Sequence, residues 1–324
     1  MTLTLVSDAV VREIATLELV FEAVRDALVS VATDEATILP VLLVEAEGPG
    51  AMFGIKTATH FEAGLLGFKV GSYFPQNHAR GIPNHGSTTM LLDADTGLPA
   101  ALVSASFLNG LRTAAANAVA VEHLARPGAR TLGVIGAGHQ AEFEVRAVAS
   151  RRSLDEIRIW SRNRQRADGL CARLDDLGCK VESVATAQEA VCGSDLITTV
   201  TPSRSVLVRK EWVAPGAHIS AMGSDTPGKQ EIDPALMKRA AAFADLPRQS
   251  VRVGEFQHAV GAGFLDERAI TALGDVILGK HPGRRSADEI TVFDSSGVAP
   301  QDLHAAAAVL KRAIAQGRAE TVDF

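Results

Sequence analysis

Apolar residues recur at helical spacing over residues 8–33, where Leu19, Val20, Ala23, Val24, Ala27, Leu28 and Val31 make one face and Ser7 and Thr16 are suited to cap. From Ile38 to Val103 the pattern shortens to strand-like runs at 40–44, 51–55, 66–70, 88–92 and 99–104, with Asp95-Thr96-Gly97 as a turn. This predicts a largely antiparallel sheet. Residues 107–125 then read as a helix that is apolar on every side apart from Arg112, and such a helix is usually buried. Arg126-Pro127-Gly128 ends that helix and marks a domain boundary. Beyond Thr131 strands and helices alternate: strands at 132–135, 157–160, 180–184 and 196–200, helices at 140–150, 164–177 and 187–191. Alternation at this spacing builds a doubly wound parallel sheet. Short apolar strands follow at 218–221, 241–244 and 290–293, and the last helix, 302–316, is assigned back to the N-terminal part of the chain.

A chain of 324 residues is long enough for two cores, since single cores stop growing near ~250–300 residues. Its 47% hydrophobic and 22% charged residues and net charge of −6 describe an ordinary globular protein with no basic field for nucleic acid or anionic lipid. No apolar run is long enough for a membrane span, and the first residues lack the basic-then-apolar pattern of a secretory signal, so a cytoplasmic protein is expected. Cys171, Cys179 and Cys192 are odd in number without C-x-x-C spacing, and the histidines form no H-x-x-x-H pair. Neither a disulfide framework nor a metal site is expected.

The stretch Gly136-Ala137-Gly138-His139-Gln140-Ala141 follows the strand at 132–135 and opens a helix, which is the context the G-x-G-x-x-A dinucleotide fingerprint requires. Gly136 permits the tight turn, Gly138 lets the backbone approach a pyrophosphate, and Ala141 lets the helix pack closely on the strand. The new helix offers N–H groups and the positive end of its dipole to phosphates. In the NAD-binding version of this fold, an acidic residue near the end of the second strand holds the ribose 2′-hydroxyl. Here that strand runs into Ser161-Arg162-Asn163-Arg164. Ser161 and Arg162, helped by Arg164, suit a 2′-phosphate, which favours NADP(H) over NAD(H); the alternative is a solvated basic loop.

Three polar residues sit in apolar or glycine-rich settings: Lys69 in Gly67-Phe68-Lys69-Val70-Gly71, Arg112 in the apolar helix, and Asp225 in Gly223-Ser224-Asp225-Thr226-Pro227-Gly228-Lys229. A buried guanidinium needs an anion, and either an internal carboxylate or a substrate carboxylate would serve. These stretches, with Leu91-Leu92-Asp93-Ala94-Asp95-Thr96-Gly97, the dinucleotide turn and Val292-Phe293-Asp294-Ser295-Ser296-Gly297-Val298-Ala299-Pro300-Gln301-Asp302, resemble the ornithine cyclodeaminase/μ-crystallin family over nearly the whole chain. The resemblance implies a Rossmann domain, residues 127–300, and an α+β substrate and dimerisation domain, residues 1–126 completed by 301–324. It also implies a homodimer.

Family members act on α-amino or α-imino acids as reductases, dehydrogenases or cyclodeaminases, and some crystallins are retained for bulk properties. By resemblance Lys69 and Arg112 would grip the substrate α-carboxylate and Asp225 would face the amine or imine nitrogen. Lys69 or Asp225 would transfer the proton. Thr201, Met222 and Ser296 would add cofactor contacts. Many members carry an arginine soon after the proline that opens the first sheet strand, whereas this chain has Pro40-Val41-Leu42-Leu43, which argues against the cyclodeaminase reaction. Lys56, His85 and His139-Gln140 look most like the iminosuccinate reductases, and Lys56 or His85 would hold a second carboxylate. Their alternatives are a surface lysine and a core histidine. The expected activity is reduction of a small α-imino acid to an L-amino acid.

Overall fold

The computed structural model describes residues 2–323. The chain divides into two units, the first holding the residues up to Arg112 and those from Val298 onward, the second Thr113–Gly297. The first division falls inside the helix Ser106–Leu124 rather than at the Arg126-Pro127-Gly128 break. An unbroken helix carries no glycine or proline signal where its packing partners change.

In the first unit, β1 (Thr2–Val6), β2 (Ala36–Ile38), β3 (Leu42–Glu45), β4 (Met52–His60), β5 (Leu65–Tyr73), β6 (His85–Leu92) and β7 (Pro99–Ser104) share one sheet with a C-terminal strand, Glu320–Asp323. The order is C-terminal strand, β1, β7, β6, β5, β4, β2, with β3 also paired to β4. All pairs are antiparallel except β1 with β7. The apolar stretch 8–33 is two helices, α1 (Asp8–Ile14) and α2 (Leu17–Ala32), because Ala15 is extended and Thr16 caps the second by accepting from Leu19 N at 3.3 Å. The C-terminal helix, Ala299–Ala315, packs on α2, β5 and β4. Its first turn thereby reaches the middle of the sheet. The two terminal strands lay outside the expectation from sequence, since each finds partners only across long stretches of chain.

The second unit takes up most of α3 (Ser106–Leu124), whose alanines 114, 115, 116, 118 and 120 are fully buried. Its sheet contains β8 (Thr131–Ile135), β9 (Glu156–Trp160), β10 (Lys180–Ser183), β11 (Leu196–Thr199), β13 (His218–Ala221), β15 (Ala240–Ala244), β16 (Thr271–Ala272) and β17 (Ile290–Asp294), while β12 (Arg204–Val208) and β14 (Gln230–Ile232) form a separate parallel pair. The order β10-β9-β8-β11-β13-β17-β15-β16 is parallel throughout. Helix α4 (His139–Ala149) follows β8. Leu132, Val134, Ile135, Ile157, Ile159 and Ile219 are inaccessible to solvent, as strands covered on both faces require. Strand order reverses between β8 and β11, the switch point at which open α/β sheets bind ligands. The unit is a Rossmann-type α/β domain.

Candidate functional site

The first unit gathers two buried cations around shared acceptors. Antiparallel pairing sets Lys56 on β4 opposite Lys69 on β5, and Lys69 opposite Thr89 on β6. Directly opposed residues share a sheet face, so the three side chains form one cross-strand row. Arg112 comes from α3, one turn after Asn109 and on the same side. Asn109 Oδ1 accepts from Lys69 Nζ at 2.7 Å and from Arg112 Nη2 at 2.8 Å. Asp302 Oδ1, from the C-terminal helix, accepts from Lys69 Nζ at 2.8 Å and lies 2.9 Å from Arg112 Nε, an ion pair whose N–H is not aimed along the contact. Arg112 Nη1 donates to Gln301 Oε1 at 3.2 Å. Lys69 and Arg112 are each 6% exposed.

This crowding sets the proton affinities. Burial pulls Lys69 down to about 7; Asp302 opposes that, and Arg112 and Lys56 reinforce it. Burial alone would raise Asp302, but Arg112, Lys69 and Lys56 outweigh it and hold the carboxyl below its usual range. Asn109, Gln301 and Asp302 were not among the residues singled out from sequence. The available signal was a polar Gln301-Asp302 pair opening an otherwise alanine-rich helix.

Several hydrogen-bonding groups in the cluster remain unused. Lys69 donates to two oxygens, leaving one of its three N–H groups over among the described residues. Thr89 Oγ1, Gln301 Nε2 and Asp302 Oδ2 are buried without a hydrogen-bond partner. Buried polar atoms are rarely left so unless a ligand or water completes them. His85 pairs with Tyr73, is exposed, and stands at the far end of the same strands. The pleat puts it on the Lys69 face, yet four residues along a strand is ~13 Å.

In the second unit the dinucleotide turn has the form that its ligand requires. Gly136 has φ +123°, and a Cβ there would lie 2.7 Å from Val200 O just past β11, so only glycine fits the turn. Gly138 caps α4, and a Cβ there would meet nothing within 4 Å, so the space beside it is open to a pyrophosphate. Ala141 is fully buried beneath the helix. The geometry fits a dinucleotide.

Other residues expected at the cofactor have protein partners for their side chains. Gln140 Nε2 donates to Glu144 Oε1 at 2.7 Å, and Arg164 Nε pairs with Asp168 at 3.0 Å. Ser161 Oγ accepts from Asn163 N, and Arg162 is exposed beside it. His139 packs edge-on against Phe143, and Met222 is buried. Ser296 Oγ donates to Asp245 and accepts from Gln249.

Glu231 ties the loops at the carboxyl ends of β11 and β13 together. It accepts from Thr199 Oγ1 at 2.8 Å, Thr201 N and Oγ1 at 2.7 Å each, and Gly223 N at 3.1 Å. A Cβ on Gly223 would lie 2.4 Å from both Glu231 Oε2 and Thr201 O. Glu255 accepts from Ser224 Oγ and from the backbone of Glu231 and Ile232. Burial, then the neighbouring Glu255, pushes Glu231 up to about 8. Within the loop so anchored, Asp225 is exposed and takes a 2.5 Å ion pair from Lys229. Among the described residues no group of histidine, cysteine, aspartate or glutamate is placed to hold a metal ion.

Comparison with known proteins agrees with the fold and with a nicotinamide dinucleotide as its ligand. The sequence profile of the ornithine cyclodeaminase/mu-crystallin family matches residues 2–317. The iminosuccinate reductase of Paracoccus denitrificans is 40% identical over 319 residues, 98% of this chain and 99% of that protein. Its crystal structure in complex with NAD+ superposes with a TM-score of 0.95, at 38% identity, covering all of both chains. An archaeal alanine dehydrogenase dimer with bound NAD gives a TM-score of 0.94, at 31% identity over the full length of both chains. The Delta(1)-pyrroline-2-carboxylate reductase of Thermococcus litoralis, in complex with NADH and L-proline, gives 0.92 at 26% identity, covering 98% of this chain and all of that one. On the strength of the match over residues 2–317 and the 40% identity to a relative across 98% of this chain, the chain belongs to the ornithine cyclodeaminase/mu-crystallin family.

Proposed function

We propose that the protein is a nicotinamide-dinucleotide-dependent oxidoreductase that reduces a small α-imino acid, iminosuccinate first among candidates, to the L-amino acid. The observation that carries this is the charge balance of the buried cluster. The buried Lys69 and Arg112 share one carboxylate, Asp302. Cations in excess, with N–H groups to spare, suit an anionic substrate.

When bound, a reduced nicotinamide supplies a hydride. Gly136, Gly138 and the first turn of α4 would hold its pyrophosphate. Arg112 and Lys69 hold the α-carboxylate, fixing the carbon that accepts the hydride. As that carbon gains hydrogen, the C=N electron pair moves to nitrogen, which then takes a proton. Lys69, with its proton affinity lowered to about 7, exchanges protons readily at neutral pH. Asp225 is assigned to stabilise the iminium nitrogen, a role that rests on family resemblance. Lys56, next to Lys69 across the strands, supports a second carboxylate on the substrate better than His85 at the strand end. Ser161 and Arg162 favour NADPH, and the NAD complexes of the relatives make NADH its competitor.

The test is NADPH and NADH consumption with oxaloacetate, pyruvate or glyoxylate plus ammonia, with conversion of ornithine to proline as the control. Turnover with oxaloacetate and ammonia is expected. Proline formation from ornithine without net cofactor change would replace the reading with a cyclodeaminase. A homodimer is expected in solution, checked by light scattering.

A further inference from the structure

We propose that Asp302 is a positioning residue of the substrate site, its Oδ1 fixing the spacing of the Lys69 ammonium and the Arg112 guanidinium and keeping Lys69 charged for a substrate carboxylate. This rests on the reading above, in which those two cations grip the substrate.

Two like charges buried side by side repel, and the lysine would shed its proton or the two would move apart unless a shared anion held them. Asp302 Oδ1 touches both, at 2.8 Å from Lys69 Nζ and 2.9 Å from Arg112 Nε. Asn109 Oδ1 bridges the same two cations from α3. The pair of acceptors closes a ring in which neither cation can shift without losing a contact on each side. Of the two acceptors, Asp302 alone carries charge. Its place in the first turn of the C-terminal helix also favours the ionised form, because the helix dipole is positive there.

Asp302 reaches both cations through Oδ1 alone. Here Oδ2 is buried without a partner, and so is the adjacent Gln301 Nε2. The helix therefore presents an acceptor and a donor that the protein itself does not use. The charged groups facing Lys69 are Lys56 from β4, Arg112 from α3 and Asp302 from the C-terminal helix, while β6 contributes the uncharged Thr89. Of these, Asp302 alone favours the protonated ammonium, against the burial that pulls Lys69 down. Removing its charge while keeping its shape lowers the proton affinity of Lys69 further. Activity that needs the ammonium then fails at lower pH.

The experiment compares Asp302→Asn, Asp302→Glu and Lys69→Ala in the full-length protein, by the pH profile of kcat/KM for imine reduction with oxaloacetate plus ammonia, or pyruvate plus ammonia if that is the pair the wild type turns over. Competitive acetylation of Lys69 with acetic anhydride across pH gives a readout independent of turnover. Asp302→Asn is expected to move the alkaline limb and the Lys69 labelling curve down by about one pH unit, a tenfold change in proton affinity. Asp302→Glu keeps the charge but displaces it, so kcat/KM falls at least tenfold while the limb stays in place. Wild-type limb and labelling in Asp302→Asn, or wild-type kinetics in Asp302→Glu, would overturn the proposal. If Asp302→Asn does not fold, the Asp302→Glu split between rate and limb decides. Wild-type turnover in Lys69→Ala would instead overturn the carboxylate reading beneath it.

Discussion

The two units bury titratable groups of opposite kind, chiefly bases in the first and chiefly acids in the second, and they use them differently. The first buries Lys69 and Arg112 against side-chain oxygens and leaves N–H groups over. The second buries Glu231, Glu255, Asp245 and Asp294, whose oxygens are spent largely on backbone N–H and hydroxyl groups of loops at the strand ends. Burial pushes Asp294 well above the usual carboxyl range, toward its neutral form. A buried acid satisfied by backbone serves as scaffold, since its partners cannot leave without moving the chain. A charge satisfied by side chains with capacity to spare is, in the function proposed above, where the substrate carboxylate is held.

The largest effect expected from breaking this contrast is at Arg112. Arg112→Ala should cost ~10³-fold in kcat/KM, about 4 kcal/mol, with Arg112→Lys recovering little because a lysine lacks the planar fork. Steady-state kinetics on the turned-over imino acid checks it. Glu231→Ala should act on stability instead, by about 3 kcal/mol, because Thr201 N and Gly223 N lose their acceptor. Denaturant unfolding measures this.

The pH dependence separates the two sets further. Glu231 binds its proton more tightly folded, at about 8, than unfolded, so between the unfolded value and about 8 the native state holds more protons. Its contribution to stability is therefore present at low pH and lost as pH rises toward 8. Lys69, lowered to about 7, runs the other way: the native state holds fewer protons from about 7 up to the unfolded lysine value, and stability rises with pH there. Glu231→Gln should flatten the decline below pH 8 relative to wild type. Unchanged slopes in matched unfolding curves would refute the assignment of that decline to Glu231.

Smaller effects sharpen the picture at the dinucleotide turn. Gly138→Ala should leave the fold intact and weaken dinucleotide binding ~10–100-fold, since its Cβ would enter open space. Gly136→Val should instead destabilise the protein itself, through the positive φ and the contact with Val200 O. Calorimetric titration with NADPH and NADH, alongside melting curves, tells the two apart. Arg162→Ala should lower the ratio of NADPH to NADH kcat/KM by ~10-fold, the smallest change and the one that tests the 2′-phosphate reading.

Local pattern made much of this visible. The strand, turn and helix from Thr131 to Ala149 were legible because apolar alternation, two glycines and an alanine specify that geometry within a few residues. Lys69 and Arg112 stood out because a charge in an apolar run must find a partner. The break between α1 and α2 was half legible: Thr16 was visible as a cap, but not the extended Ala15 before it.

By itself the sequence determined the dinucleotide turn, the alternation that builds the parallel sheet, and which cations would need anions. Only the tertiary structure decided what those anions are. Asp302 lies 233 residues from Lys69, Lys56 meets Lys69 through strand register, and Glu231 meets Thr199 and Gly223 across separate loops. The reason is physical. Backbone sterics and side-chain periodicity act over a turn or a strand, whereas the partner of a buried charge depends on which distant segments the apolar cores bring together.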